Sequence, residues 1–213
     1  MPDKPLIWLD SSKDDLLNFS PEARRKAGFQ LRAIRRGRPP ADFKPMAIVG
    51  SGVEQIRIRA DGAYRIFYIA RFEEAVYILH CFQKKTQRTA SQDIELGQTR
   101  YQKLINNEDN LRTSMNKDLT LTPANDNLFL DLGFDPIESA SLKIRTDLIL
   151  DLQEFIRSQN WTIDKSAQFF EETPFVITQI MNGDIDQFDL EQLIILITKA
   201  GMEMRIEVFP RAA

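Results

Sequence analysis

Three segments whose apolar residues recur at every second position follow one another with little between them: Val53 to Arg59, Tyr64 to Ala70 and Val76 to Phe82. Period two is the mark of a strand, and Asp61-Gly62 and Glu73-Glu74 are short joints, so the spacing predicts an antiparallel meander. Alternation also sorts side chains by face: Gln55, Arg57 and Arg59 point one way, Ile56 and Ile58 the other. The cations of this run, Arg57, Arg59, Arg65 and the doublet Lys84-Lys85, stand with Gln55 and His80 and have no comparable set of acids beside them. Such a surface suits a phosphate-bearing partner.

A chain of 213 residues fits one large domain or two small ones. One cysteine, Cys81, excludes an intramolecular disulfide framework, and the lone His80 leaves no His/Cys cluster for zinc. We therefore expect no metal or other cofactor, and a reducing, cytoplasmic setting. No apolar stretch is long enough to span a bilayer, and the first residues lack the pattern of a secretory signal, so no membrane partner is expected. The net charge of −3 conceals a split, about +5 over residues 1–110 and about −8 over 111–213. The halves should attract each other, unless they are independent domains that merely differ in charge.

Before the meander, Leu6 to Leu9 reads as a short strand, and Ser20-Pro21 opens a helix whose Ala23, Ala27, Leu31 and Ile34 share a face. Its other face carries Arg24, Arg25, Arg32, Arg35, Arg36 and Arg38, either a solvated face or a second nucleic-acid contact. Asp93 to Leu104 reads as a last helix of this part. Residues 106–127 are polar with poor periodicity and read as a linker, Met115 among them.

Beyond it, Asp135-Pro136-Ile137-Glu138 is a strong helix start, continued by Leu148, Leu152, Phe155 and Ile156. Thr162 caps a short helix through Phe170, and Thr173-Pro174 opens another that ends at Asn182-Gly183, the helix-turn-helix arrangement. A further helix runs from Leu190 to Ala200, and Met202 to Phe209 alternates as a single strand.

The segments Val53 to Arg57, Tyr64 to Tyr68 and Leu79 to Thr86 resemble the HigB toxins of the RelE superfamily, in their phage-derived branch. Asn127 to Phe134, and onward through the helix-turn-helix, is similar to the HigA antitoxins of the XRE type. The chain thus resembles a toxin–antitoxin operon fused into one polypeptide. The expected domains are a toxin-like 1–108, a linker 109–127 and an antitoxin-like 128–213. The expected fold is an α+β domain, an antiparallel sheet with N-terminal helices, followed by an all-α helix-turn-helix domain with a C-terminal strand.

The resemblance implies a ribosome-dependent mRNA endonuclease that works without a metal, with the ribosome and mRNA as partners. In that chemistry the ribose 2′-OH attacks the adjacent phosphate, and cations stabilise the developing charge. By motif position Arg57 and Arg65 grip the phosphate, because planar guanidinium forks match it bidentately. Lys85 takes the leaving-group role and Lys84 mainly electrostatic binding. Where many relatives carry a lysine, this chain has Gln55, which orients but is no base. Strand parity groups His80 with Ile78 and Phe82, so it reads either as a satisfied core or edge histidine or as a catalytic one. Arg59 is expected on the RNA backbone. Tyr64 and Tyr68 either stack on a splayed base or belong to the core.

In the second half, Glu171-Glu172 replace the Gly and small apolar residue common in the XRE turn. The following helix offers Thr173, Val176, Thr178 and Gln179 to a major groove but no Arg or Lys from Pro174 to Met181. Gln reads adenine and Val touches a thymine methyl, while the phosphate term that dominates affinity is missing. Operator binding therefore stands beside a helix-turn-helix kept for neutralisation or dimerisation. Met202, Met204, Ile206 and Val208 line one face of the last strand, and antiparallel self-pairing about Met204 would set Glu203 against Arg205 of a second copy. A homodimer through this strand is expected, with an intrachain contact between the halves. The alternative to the enzyme is an inactive DNA-binding autorepressor whose first half serves only for docking.

Overall fold

The computed structural model describes residues 3–86, 89–110 and 119–205, the last four residues of the middle stretch as backbone only. Two compact units divide the chain, Met1–Lys143 and Ile144–Ala213.

The first unit is built on a six-stranded sheet. The meander forms as the alternation requires, β3 (Val53–Arg59), β4 (Ala63–Ile69) and β5 (Val76–Gln83), each antiparallel to the next. To it are added β1 (Leu6–Leu9), the edge strand β2 (Phe43–Pro45) and β6 (Leu121–Pro123), giving the order β2-β3-β4-β5-β1-β6. The expected antiparallel sheet is in fact mixed, because β1 lies parallel to β5. A partner so far along the chain cannot be read from local turn signals.

Three helices accompany the sheet: α1 (Ser12–Leu17), α2 (Pro21–Arg35) and α3 (Ser91–Asn110). Ser20 caps α2 through Ala23 N, with Pro21 in the first turn, and α2 packs its Ala23, Ala27 and Leu31 stripe toward β3. On the other face of the sheet Val53, Phe67, Ile69, Tyr77, Leu79 and Phe82 form one core with Met46, Val49, Tyr101 and Leu104. Gly97 lets α3 come this close, since a Cβ there would lie 2.9 Å from Phe67 and 3.1 Å from Val49.

A network of polar side chains holds α1 and α3 to β5. His80 faces Asp15 through Nδ1 at 3.1 Å and Asp93 through Nε2 at 3.0 Å, and its ring stacks on Phe82. Arg100 donates to Asp15 at 3.0 Å, to the Leu79 carbonyl at 2.8 Å and to Ser11 Oγ at 2.6 Å. Burial alone would raise the pKa of Asp15, but hydrogen bonds from His80 and Arg100, and their charges, outweigh it and hold the carboxyl below its ordinary value.

The expected linker is not a bare connection. After residues 111–118, Met115 included, which lie outside the described residues, the chain returns as β6 on the free edge of β1. It then makes α4 (Leu128–Asp131). Asp131 accepts from Trp8 Nε1 at 3.2 Å and pairs with Lys13 at 2.8 Å. Phe129, buried, lies so close to Gly28 of α2 that a Cβ on that glycine would collide with its ring. Part of the arginine face of α2 is therefore turned to partners within the chain rather than simply solvated. Arg24 donates to the Leu132 carbonyl at 2.7 Å and lies 5.1 Å over the Phe134 ring, while Arg35 reaches the carbonyls of Asn125 and Asp126. Arg32, also buried, pairs with Asp3. The expected boundary at 108 thus meets a unit that continues to Lys143, because segment 119–138 completes its edge.

The division into units falls within α5 (Pro136–Ser158). The second unit continues with α6 (Ile163–Phe170), α7 (Pro174–Asn182) and α8 (Leu190–Lys199). Thr162 and Thr173 cap α6 and α7 as their sequences require, and Glu171 ends α6 in the left-handed conformation at φ 53°. Gln153 ties α5 to the end of α7 by donating to the Ile180 carbonyl at 2.8 Å. The expected C-terminal strand is not seen at residues 202–205, which carry no strand, and 206–209, with Ile206 and Val208, lie outside the described residues. Met202 and Met204 are half-buried.

Two outcomes follow from this packing. Phe129→Ala should lower the stability of the first unit by about 3–5 kcal/mol, the usual cost of emptying a buried aromatic site, read from urea unfolding followed by the fluorescence of Trp8. Asp15→Ala should cost roughly 3–5 kcal/mol at neutral pH by leaving Arg100 and His80 without their shared anion. Because the folded carboxyl titrates below the unfolded one, that stabilisation is complete above the unfolded pKa of about 3.9 and fades as pH falls through the folded value. The gap between variant and native chain should therefore close on acidification, measured as urea midpoints across a pH series.

Candidate functional site

The register of the meander lays the cations out in rows across one face. Arg57 of β3 lies opposite Arg65 of β4, and Phe82 of β5 continues the row. Asp42, just before β2, closes its outer end: the Arg57 amide donates to the Asp42 carbonyl at 2.8 Å, and Arg57 Nε donates to Asp42 Oδ1 at 2.7 Å. The neighbouring row runs Lys44, Gln55, Phe67, His80. On the other side stand Arg59 and Ala63, and the Lys84 amide donates to the Ala63 carbonyl at 2.7 Å. Alternation therefore puts Gln55, Arg57, Arg59, Arg65 and Lys84 on the same face.

Their environments differ. Arg57 and Lys84 are half-buried, while Arg59 and Lys85 are exposed. Arg65 is only 9% exposed and donates to the Tyr64 carbonyl at 2.7 Å. Burial and then the charge of Arg57 push its pKa down, with Arg59 adding to the effect and Asp42 opposing it. A guanidinium so placed gains from any anion brought to it. Gln55 is 1% exposed, and its Nε2 has no hydrogen-bond partner among the described residues, so it is a buried donor one row from the two arginines.

Other expected contacts are turned elsewhere. Tyr68 is buried and donates its hydroxyl to Glu54; burial and that bond push its pKa well up, and no ring face is left for stacking on a base. Tyr64 is likewise core, its ring 4.6 Å from Phe19 and its hydroxyl on Asp61 at 3.0 Å. His80 is satisfied by two carboxylates, as the structural alternative for it required, but the parity that grouped it with Ile78 fails. A bulge between Phe67 and Tyr68 sets Ile78 opposite Tyr68 and His80 opposite Phe67.

Asp42 was not among the expected site residues. It follows Pro39-Pro40 and adjoins a strand of three residues, too short for its own alternation to be recognised.

In the second unit α7 exposes Thr173 and Thr178, with Val176 and Gln179 half-buried. Thr173 Oγ1 accepts from the Val176 amide at 3.3 Å, and Thr178 donates to the Pro174 carbonyl at 2.8 Å, so both hydroxyls already serve the helix. The largest projecting side chain is Phe175, 69% exposed and also missed. Its position off the Ile177, Ile180 stripe was the available signal.

Residues 14–102 match the family model described as phage derived protein Gp49-like, and residues 128–209 match that of a helix-turn-helix domain. No curated protein and no solved structure matches the chain. No helix among the described residues is long and apolar enough to cross a membrane. The chain therefore carries, in one polypeptide, an α+β Gp49-like domain followed by a helical helix-turn-helix domain, a pairing that supports a toxin–antitoxin-like fusion.

Proposed function

We propose that the first unit is an mRNA endonuclease of the HigB kind, acting at the ribosome without a metal, and that the second is the antitoxin-like half that restrains it and binds operator DNA. The observation that carries the reading is the Arg57–Arg65 pair, flanked on the same face by the Gln55 donor and by Arg59 and Lys84. Two guanidinium groups directly opposite each other across a sheet repel, so their retention argues for an anion that both can hold. In the proposed reaction they clamp the scissile phosphate as charge develops on it, and Lys85 protonates the leaving oxygen. Restraint by the second half is supported by its opposite net charge, and DNA binding by the helix-turn-helix match with Val176 and Gln179 turned half outward. The cytoplasm is the proposed setting.

One observation favours a second reading, in which the chain is a DNA-binding autorepressor with an inactive first unit: Asp42 already occupies Arg57. Residues 1–143, the whole first unit rather than the shorter 1–108, separate the two. Expressed alone, 1–143 should arrest growth and cut mRNA within ribosomes, and Arg57→Ala with Arg65→Ala should lower cleavage by at least ~100-fold. Harmless expression of well-folded 1–143 would favour the autorepressor, and a salt-dependent gel shift of the intact chain on its own promoter DNA would then carry that reading.

A further inference from the structure

The proposed reaction needs a group to take the 2′-OH proton, and the expected candidates do not supply one. Gln55 has no basicity, and His80 is buried with both ring nitrogens on carboxylates. Tyr68 is buried on the opposite face, and burial pushes the Cys81 thiol well up as well. Resting on the endonuclease reading, we propose that Asp42 is the general base.

Among the described residues of the three cation-bearing rows, Asp42 is the single carboxylate. Its backbone is held at two points, the Ala41 amide on Gln30 Oε1 at 2.7 Å and the Asp42 carbonyl on the Arg57 amide at 2.8 Å. Arg57 Nε and Nη2 both point at one oxygen, Oδ1, so Oδ2 is not used by Arg57. The side chain is more than a third exposed, which leaves it open to a ligand lying over the arginines. Arg57 from β3 pairs with it, its charge acts on Arg65 from β4, and Lys44 stands two residues along in β2. An aspartate is ionised at neutral pH and can accept a proton there. A carboxylate at a site for an anionic polymer repels it, a cost that makes sense where the group does proton chemistry.

The 2′-OH proton passes to the Asp42 carboxylate as the 2′-oxygen bonds to phosphorus. The bond from phosphorus to the 5′-oxygen breaks, and that oxygen leaves with a proton from the Lys84-Lys85 doublet, of which Lys84 shares the cationic face. The products are a 2′,3′-cyclic phosphate and a 5′-hydroxyl. Arg57 and Arg65 carry the charge on the non-bridging oxygens.

Asp42→Asn separates the base from a mere positioner, because the asparagine Oδ1 still accepts from Arg57 while the basicity is gone. The full-length chain and residues 1–143, each in excess over ribosomes stalled on a defined mRNA, give retention on the ribosome and single-turnover cleavage separately, the cleavage rate being read from 1–143, which lacks the restraining half. Asp42→Asn should lower the cleavage rate by ~10²–10³-fold with retention unchanged. Asp42→Glu should recover part of the rate. Cleavage by Asp42→Asn within about threefold of the native rate, or a loss confined to retention, would overturn the proposal and leave the endonuclease reading standing. Native 1–143 that is retained but never cuts, with the restraining half absent, would overturn both.

Discussion

The register of β3 against β4 sets Arg57 opposite Arg65, and the organisation of the cationic face depends on that pairing. Like charges directly opposite on a sheet are destabilising, and here one of the two is largely buried as well. Asp42 offsets part of this by pairing with Arg57, yet a half-exposed ion pair contributes only about 0–1 kcal/mol, too little to make the row favourable in isolation. The sheet tolerates the row because its other positions are well packed. Ile56 and Ile66, opposite each other in the same two strands, are fully buried, and the neighbouring Phe67 lies under Gly97 of α3. Stability from the apolar rows thus permits an unfavourable arrangement in the polar one, the pattern expected where a surface is kept for binding.

What was legible in the sequence was local. The meander followed from alternation, and α2, α6 and α7 from Ser20, Thr162 and Thr173, because a cap or a period is written within a few residues of where it acts. What was not legible is set by partners far along the chain. The arginines of α2 look like a solvated stripe until Phe134 and the Leu132 carbonyl, more than 100 residues later, lie beside Arg24. His80 shows the same limit within a single strand. Counting by twos from Ile78 puts both on one face, but one bulge reverses the count, and that bulge has no Gly or Pro to announce it. Asp42 was hidden for a third reason, that an edge strand of three residues leaves no period to read.

The match to a helix-turn-helix domain begins at residue 128, whereas the compact first unit runs to Lys143. Both boundaries hold, because they describe different things: resemblance to other sequences in one case, and where contacts close in the other. The overlap, α4 and the start of α5, is bound by particular contacts rather than by the general attraction of a basic half for an acidic one. Arg24 donates to the Leu132 carbonyl, Phe129 fills the notch at Gly28, and Asp131 collects Trp8 and Lys13. Net charge can speed an encounter, but a notch that only glycine permits and a buried ring are what specify the partner.

That docking also bears on how restraint could work. In the sheet order β2-β3-β4-β5-β1-β6, segment 119–138 occupies the β1 edge and α2, whereas Arg57 and Arg65 lie toward the β2 edge. The contacts that hold segment 119–138, from Arg24, Arg35, Trp8, Lys13 and Gly28, are made away from the Arg57–Arg65 row. The first unit carries a weaker restraint of its own in Asp42, an anion already seated on Arg57 whose ion pair is cheap to exchange for a phosphate. A group that both neutralises the cation at rest and takes a proton during reaction would reconcile the quiet, paired arginine in the structure with the work proposed for it.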